Sequence, residues 1–560
     1  MKSFYFIGIF ISFKIYAQSP LFIPDTLSGS EINLSIKEGS HSFYTSYNTS
    51  IIGYNGNLLG PTIILHKGQT VQMNVANELN DTTTTHWHGL HVSPQNDGSP
   101  HNLIMANTTW SPKFEVMDKA ATYWYHPHLH GKTMKQVIQG AAGMIIVRDD
   151  EESKLNLPRT YGVDDIPLIM QWRTFDTNKQ IVLDDEADNV AMVNGTINGV
   201  LEVPAQMVRF RLLNGSSHRF FNFAFSDNRN FQIIANDESL LNKPVSVKQL
   251  IVSPGERFEI IVDFKEQQGQ SFFINQLGMS LPNGYPGGPP LGMMGMNMTM
   301  GPLDNTDFSL LKIDVKAPTP NAIKEISSSL TTNEPINESG ATTRNFQLRG
   351  LPMMSMTNFT INNEQYDHEK INFKVKQDDV MIWNITNQSM MPHPWHIHGN
   401  YFYIKSINGQ APPAYMKGRK DVVTIPPMNG SAQIVMKYED FADSEMPYMY
   451  HCHILSHEDR GMMGSFLVTD ANLTDVLNNI TKDITIKVYP NPSQNNWQIE
   501  STSGEPILFY QLCNIDGKLI EEHSIKNTSF LINNTNLSSG NYFITVSTKQ
   551  NSQIFKVIKQ

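Results

Sequence analysis

Cysteine is nearly absent from this chain of 560 residues, with only Cys452 and Cys513 present, so disulfides are not what stabilises the fold. Positive charge is also in deficit. The formal net charge is -11 and no stripe of Lys and Arg stands ready to neutralise phosphates, which excludes nucleic acid as the expected partner. After the first residues, no apolar run approaches the roughly 18 residues that a membrane span needs. Long helical periodicity is scarce. The length exceeds one ordinary core, and at roughly 150 residues per domain it predicts three or four.

What is present begins with an address. Lys2, an apolar run from Phe4 to Phe13, and Ala17-Gln18 ahead of a polar stretch read as a signal peptide over residues 1–17. A secreted, periplasmic or cell-surface protein without a membrane span is therefore expected. Alternating or β-branched runs such as Thr70 to Val75, Val208 to Leu213 and Val380 to Ile385 predict strands. These runs lie in GQTVQMNVANEL from Gly68, AQMVRFRLLNGS from Ala205 and QDDVMIWNITNQ from Gln377, each placing Val, then alternating residues, then Asn. One all-β unit used three times is the reading, as β-sandwich domains over 18–152, 158–316 and 340–472. The stretch 317–343, rich in Pro, Ser, Thr and Asn, links the last two. A further strand-rich segment, 483–560, carries no cluster of potential ligands.

Four His-x-His pairs stand in the sequence: His86-Trp87-His88, His126-Pro127-His128, His396-Ile397-His398 and His451-Cys452-His453. Residues i and i+2 of a strand share a face, so each pair is expected to deliver two imidazoles to one place. Imidazole suits copper, iron, nickel and zinc, and ligand type alone leaves the metal open. Cys452 must project to the opposite face and can serve a second site behind the strand. A thiolate with two imidazoles and a long axial Met is the blue-copper ligand set, and His393, Cys452, His457 and Met462 supply it.

The runs HWHGLH from His86, YHPHLHG from Tyr125, HPWHIHG from His393 and HCHILSHEDRGMM from His451 closely resemble the four copper motifs of multicopper oxidases. The resemblance spans about residues 45 to 470, with two motifs in the first domain and two in the third. It implies three cupredoxin-like Greek-key β-sandwiches holding four copper ions: one type 1, one type 2 and two type 3. By matched position the type 2 copper takes His86 and His396, one type 3 copper takes His88, His126 and His453, and the other takes His128, His398 and His451. Pro127 departs from the small polar residue of many relatives without displacing the ligands beside it. The resemblance further implies one-electron oxidation of a reductant at the type 1 copper, reduction of dioxygen to water at the other three, and Asp97 and Glu458 as carboxylates relaying protons. Residues 483–560, opening on VYPNP at Val488 to Pro492, resemble the C-terminal sorting domain of the type IX secretion system of Bacteroidetes. That implies a small β-sandwich addressed to secretion machinery and no catalytic role for Cys513.

The reductant is less determined. GMMGMNMTMGP from Gly292 gathers Met293, Met294, Met296, Met298 and Met300, and Met353, Met354 and Met356 form a second group. Thioethers favour Cu(I). A Met-rich insert over the type 1 site resembles that of copper-efflux oxidases, where Met391 matches a substrate-copper ligand but Ser389 stands in place of its Asp partner. A flexible apolar lid or core filler is the other reading of the Met run. Oxidation of Cu(I) and laccase-like oxidation of phenols both fit, and a monomer suffices for either. A secreted copper-sequestering protein without turnover is the non-enzymatic alternative, though it has no need of four His-x-His pairs. His41, His66, His91, His101, His130, His218, His368 and His523 fall outside the ligand set, with His91 and His130 next to ligand motifs.

Overall fold

The computed structural model describes residues 19–560 apart from 57, 184–185, 292–300, 351–358, 471–485, 503, 515–517 and 549–551. The signal-peptide residues 1–17 and both Met clusters, at 293–300 and 353–356, lie outside the described residues. The chain divides into two compact units, one ending at Asp470 and one following it.

The first unit holds three consecutive cupredoxin-like β-sandwiches, each made of two sheets. Their cores are formed by the inward residues of alternating strands. In Thr70–Asn77, Val71, Met73 and Val75 are buried while the residues between them are partly exposed. The three similar sequence stretches occupy equivalent strands. Thr70–Asn77, Met207–Asn214 and Val380–Asn387 each run parallel to an earlier strand of their sandwich: Glu31–Tyr44, Asp165–Arg173 and Thr342–Arg349.

The terminal Asn of that repeat has the same task each time. The Oδ1 of Asn77, Asn214 and Asn387 accepts the N–H two residues on, from Leu79, Ser216 and Ser389. Each Nδ2 donates to loop carbonyls, reaching Asp81 and Ile104, Arg219 and Val252, or Met391, Ile425 and Pro426. All three residues are buried, so the amide replaces backbone partners that the turn cannot supply. In the first and third sandwiches the pinned loop leads to His86 and His393.

One segment departs from the expected boundary at residue 18. Ser19–Pro20 pairs in parallel with Gly199–Pro204, and Leu21 packs into the core of the second sandwich. Its backbone and apolar side chain find their partners there, ahead of the first sandwich in the chain.

The first and second sandwiches meet across an ion network. Arg209 contacts Glu152 at 2.7 Å and Glu259 at 2.5 Å, while Arg211 contacts Asp165 at 2.7 Å and Glu259 at 2.5 Å. These groups are buried, so each charge depends on its partners.

The second unit is a smaller sandwich. One sheet orders Ile486–Tyr489, Asn496–Ser501 and Ser529–Asn533, and the other Leu519–Asn527, Ile507–Asn514, Gly540–Thr548 and Ser552–Lys559. Trp497 lies at its centre. No helix among the described residues is long and apolar enough to cross a membrane.

Candidate metal centre

The four His-x-His pairs meet where the first and third sandwiches adjoin. Only the first pair lies wholly within a strand, His86–His88. Ala121–His126, His393–Ile397 and Tyr448–Cys452 end before His128, His398 and His453, so these three pairs straddle strand ends. The expected common face survives, with ring centroids within each pair 5.1 to 5.9 Å apart. The turn after each strand nevertheless sends the two imidazoles of a pair to different neighbours.

One group joins the Nε2 atoms of His128, His398 and His451, separated by 3.0, 3.1 and 3.2 Å. Their Nδ1 atoms face acceptors: Glu458 at 3.3 Å, Asp97 Oδ2 at 2.8 Å and the Cys452 carbonyl at 3.1 Å, respectively. With the ring protons on Nδ1, hydrogen-bonded in His398 and His451 and facing Glu458 in His128, three lone pairs converge on one point. That arrangement is repulsive without a cation and suits one. A second group joins His88 Nδ1 to His126 Nε2 at 3.5 Å and to His453 Nε2 at 3.3 Å. The Pro127 carbonyl receives His126 Nδ1–H at 2.8 Å, so Pro127 fixes the ligand tautomer. His86 and His396 complete the set. Their Nδ1 atoms donate to the Asp97 and Asp421 carbonyls at 2.9 Å, and their Nε2 atoms are buried without a partner.

Burial, reinforced by neighbouring imidazoles, holds His88, His126, His396 and His398 well below the usual imidazole pKa. Burial likewise lowers His128 and His453 to about 3. These rings are neutral near pH 7, the state in which imidazole binds a metal.

Cys452 faces away from its two neighbours. Its Sγ lies 3.3 Å from His393 Nδ1 and 3.6 Å from His457 Nδ1, and those nitrogens are 3.2 Å apart. Burial pushes the thiol pKa up, so a bound cation is what would release its proton. Met462 is buried in the same core, and its carbonyl accepts the Cys452 N–H at 3.0 Å. Phe359 stacks on His457 at 3.9 Å. The short helix Leu455–Asp459 carries His457 and Glu458, and the Asp459 carboxylate accepts the N–H groups of Thr133 and Met134 from the first sandwich.

Three residues act differently from the sequence reading, or were missed by it. Ser389, read as a substituted substrate-copper position, puts its hydroxyl 2.8 Å from His393 Nε2 and accepts the Gly350 N–H. It orients the His393 ring. Asp421, in no motif, lies 3.3 Å from His88 Nε2 and pairs with Arg257 at 2.6 and 2.5 Å. No spacing could reveal Asp421, since its partner lies 333 residues away. His91 bonds Asp440 at 2.6 Å rather than a ligand. Met391 is half-buried and lines a cavity of about 130 Å³ with Glu186, His218 and Tyr285.

The two free cysteines do not pair, and Cys513 belongs to no metal-competent group among the described residues.

Family models described as multicopper oxidase match residues 35–152, 168–285 and 338–472, and one described as a secretion system C-terminal sorting domain matches 487–560. The multicopper oxidase mco of Staphylococcus haemolyticus is 33% identical over 78% of this chain and 88% of its own length. The cell division protein FtsP of Xenorhabdus nematophila is 29% identical over 80% of this chain and 91% of its own. Among solved structures, a bacterial laccase-like multicopper oxidase, CueO from Ochrobactrum sp., superposes with a TM-score of 0.70 at 32% identity, covering 80% of this chain and all (100%) of that one. The McoA multicopper oxidase of Aquifex aeolicus gives 0.72 at 30% identity, over 81% and 100%. With its converging imidazoles suited to copper, the chain belongs to the multicopper oxidase family and ends in a secretion sorting domain that marks it for the cell surface or beyond.

Proposed function

We propose that this protein oxidises a small reductant one electron at a time and passes four electrons to dioxygen, forming two waters. The supporting observation is Cys452. Its sulfur belongs to one donor group with His393 and His457, while the adjacent His451 and His453 belong to the two groups behind it. A covalent path of one residue thus links an electron-entry site to the oxygen site.

In this reading His393, Cys452, His457 and Met462 hold a type 1 copper, and His86 with His396 hold the type 2 copper. His88, His126 and His453 hold one type 3 copper, and His128, His398 and His451 hold the other. Bound copper supplies the redox chemistry for both half-reactions. The chain supplies orientation and protons. Asp97 fixes His86 through its carbonyl and His398 through its carboxylate. Glu458 lies between His128 and His451 at 3.3 and 3.2 Å. Both carboxylates stand within reach of the oxygen site and can pass protons inward.

The reductant is Cu(I), a phenolic compound, or both. Among the structural relatives, the Ochrobactrum oxidase is described as active towards lignin model compounds, and one from Campylobacter jejuni as a metallo-oxidase. Met391 beside the type 1 group supports Cu(I), and the neighbouring cavity with Tyr285 supports a small aromatic. A secreted or periplasmic monomer exposed to extracellular copper fits this chemistry. Sequestration without turnover is weaker, because storage has no use for a thiolate bonded between two ligands of an oxygen site. Oxygen uptake by copper-loaded protein with Cu(I) and with a phenol, measured side by side, tests the proposal. Uptake with either supports oxidase chemistry; none with both, in protein showing the blue colour, removes it.

A further inference from the structure

Outside the copper centre, a second donor cluster joins two loops that carry its carboxylates. The His101 and His368 rings stack at 4.1 Å with their planes 22° apart. The Tyr366 hydroxyl lies 3.5 Å from His101 Nε2 and 3.3 Å from His368 Nδ1. The hydroxyl proton satisfies one of those nitrogens, and the other either donates its own N–H to the phenol oxygen or, in the other tautomer, turns a lone pair into the cluster. Burial and the neighbouring His368 lower His101 to about 4, leaving a neutral ring available as a ligand. His130 packs edge-on against Tyr366 at 4.9 Å, and its Nδ1 is buried without a partner. His368 is exposed, so the cluster is open to ions from solution.

We propose that His101, His368 and Tyr366 bind one further divalent transition ion, separate from the copper centre. Two imidazole nitrogens and a phenol oxygen make a borderline donor set, for which Cu(II) ranks first and Co(II), Ni(II) and Zn(II) follow. The placement gives the site a structural consequence. His101 lies four residues after Asp97 in a loop held by Asn102, whose Oδ1 accepts the N–H groups of Gly98 and Ser99. The Tyr366 N–H donates to the Gly461 carbonyl, and Gln365 Nε2 donates to the Arg460 carbonyl, directly after the helix that carries Glu458. An ion here tethers the Asp97 loop of the first sandwich to the turn beside Glu458 in the third.

Co(II) is the suitable probe, because thioethers favour Cu(I) and the Met run does not compete for it. The full chain, loaded with copper and then washed with a weak chelator until only the copper of the buried centre remains, is equilibrated with excess Co(II), desalted, and assayed for cobalt content and visible ligand-field absorption. One cobalt per chain is expected, lost in His368→Ala and in His101→Ala but retained in His523→Ala on the C-terminal unit. His368→Ala alters an exposed side chain, and its blue absorption and copper content should match wild type. No bound cobalt in wild type, or equal cobalt in wild type and His368→Ala, overturns the proposal. The blue absorption of the same samples reports on the oxidase reading independently.

Discussion

At the scale of single residues, the centre depends on what fixes each ring as much as on the rings themselves. Eight imidazoles and a thiolate were legible because His-x-His spacing, and a cysteine within one such pair, are patterns that chance seldom produces. The residues that set their tautomers were not, because backbone carbonyls leave no trace in sequence and Asp421 reaches His88 only through the fold. Ser389 was visible as a departure from Asp, but its contact with His393 Nε2 was not, since that contact depends on how Asn387 turns the chain. Two predictions belong here. On the proposed ligand set Met462 is the axial thioether, so Met462→Leu should raise the type 1 reduction potential in a redox titration; an unchanged or lower value contradicts the axial role. Asp97→Asn keeps the carbonyl bond to His86 but removes the carboxylate from His398, so oxygen uptake should fall steeply while the blue absorption persists. Wild-type turnover in that variant would remove Asp97 from proton delivery.

At the scale of elements, strand ends do the positioning. Period-two alternation correctly announced the strands, yet three of the four pairs run past the end of theirs, and the turn there distributes one pair over two donor groups. Alternation cannot encode where a strand stops. The repeated Asn carried that information, and its presence in all three stretches was legible without its purpose. Asn214→Ala tests the purpose in the sandwich that lacks copper ligands. It leaves the Val252 carbonyl and the Ser216 N–H without the amide, while the Arg219 carbonyl keeps the Ser216 hydroxyl, at a cost of about 1–3 kcal/mol, and should lower the melting temperature. Copper content should not change. An unaltered melting curve would show that the amide is dispensable.

At the scale of the whole molecule, joining sandwiches through buried charge makes stability depend on pH. Burial alone would raise the Glu152 pKa from its ordinary value of 4.5, but Arg209 and Arg148 outweigh it and hold the group at about 2. Asp165 is likewise held low by Arg211. A carboxyl depressed in the folded state contributes stability that is present above its unfolded value and lost as pH falls through the folded one. Resistance to urea should therefore decline between about pH 4.5 and 2, and less so in Glu152→Gln, which starts from lower stability at pH 7. Equal slopes in both proteins would place the acid sensitivity elsewhere. None of this network was legible in advance, because charged residues on predicted strands read as solvent-facing until a second domain covers them.

The proposed function has electrons entering at Cys452 and dioxygen reduced to water at the imidazoles behind it. The most direct test is the ratio of reductant oxidised to dioxygen consumed by the copper-loaded chain, with peroxide assayed in the same vessel. Four one-electron equivalents per dioxygen and no peroxide are predicted. Two equivalents with accumulating peroxide, or no dioxygen consumption at all, would contradict the account.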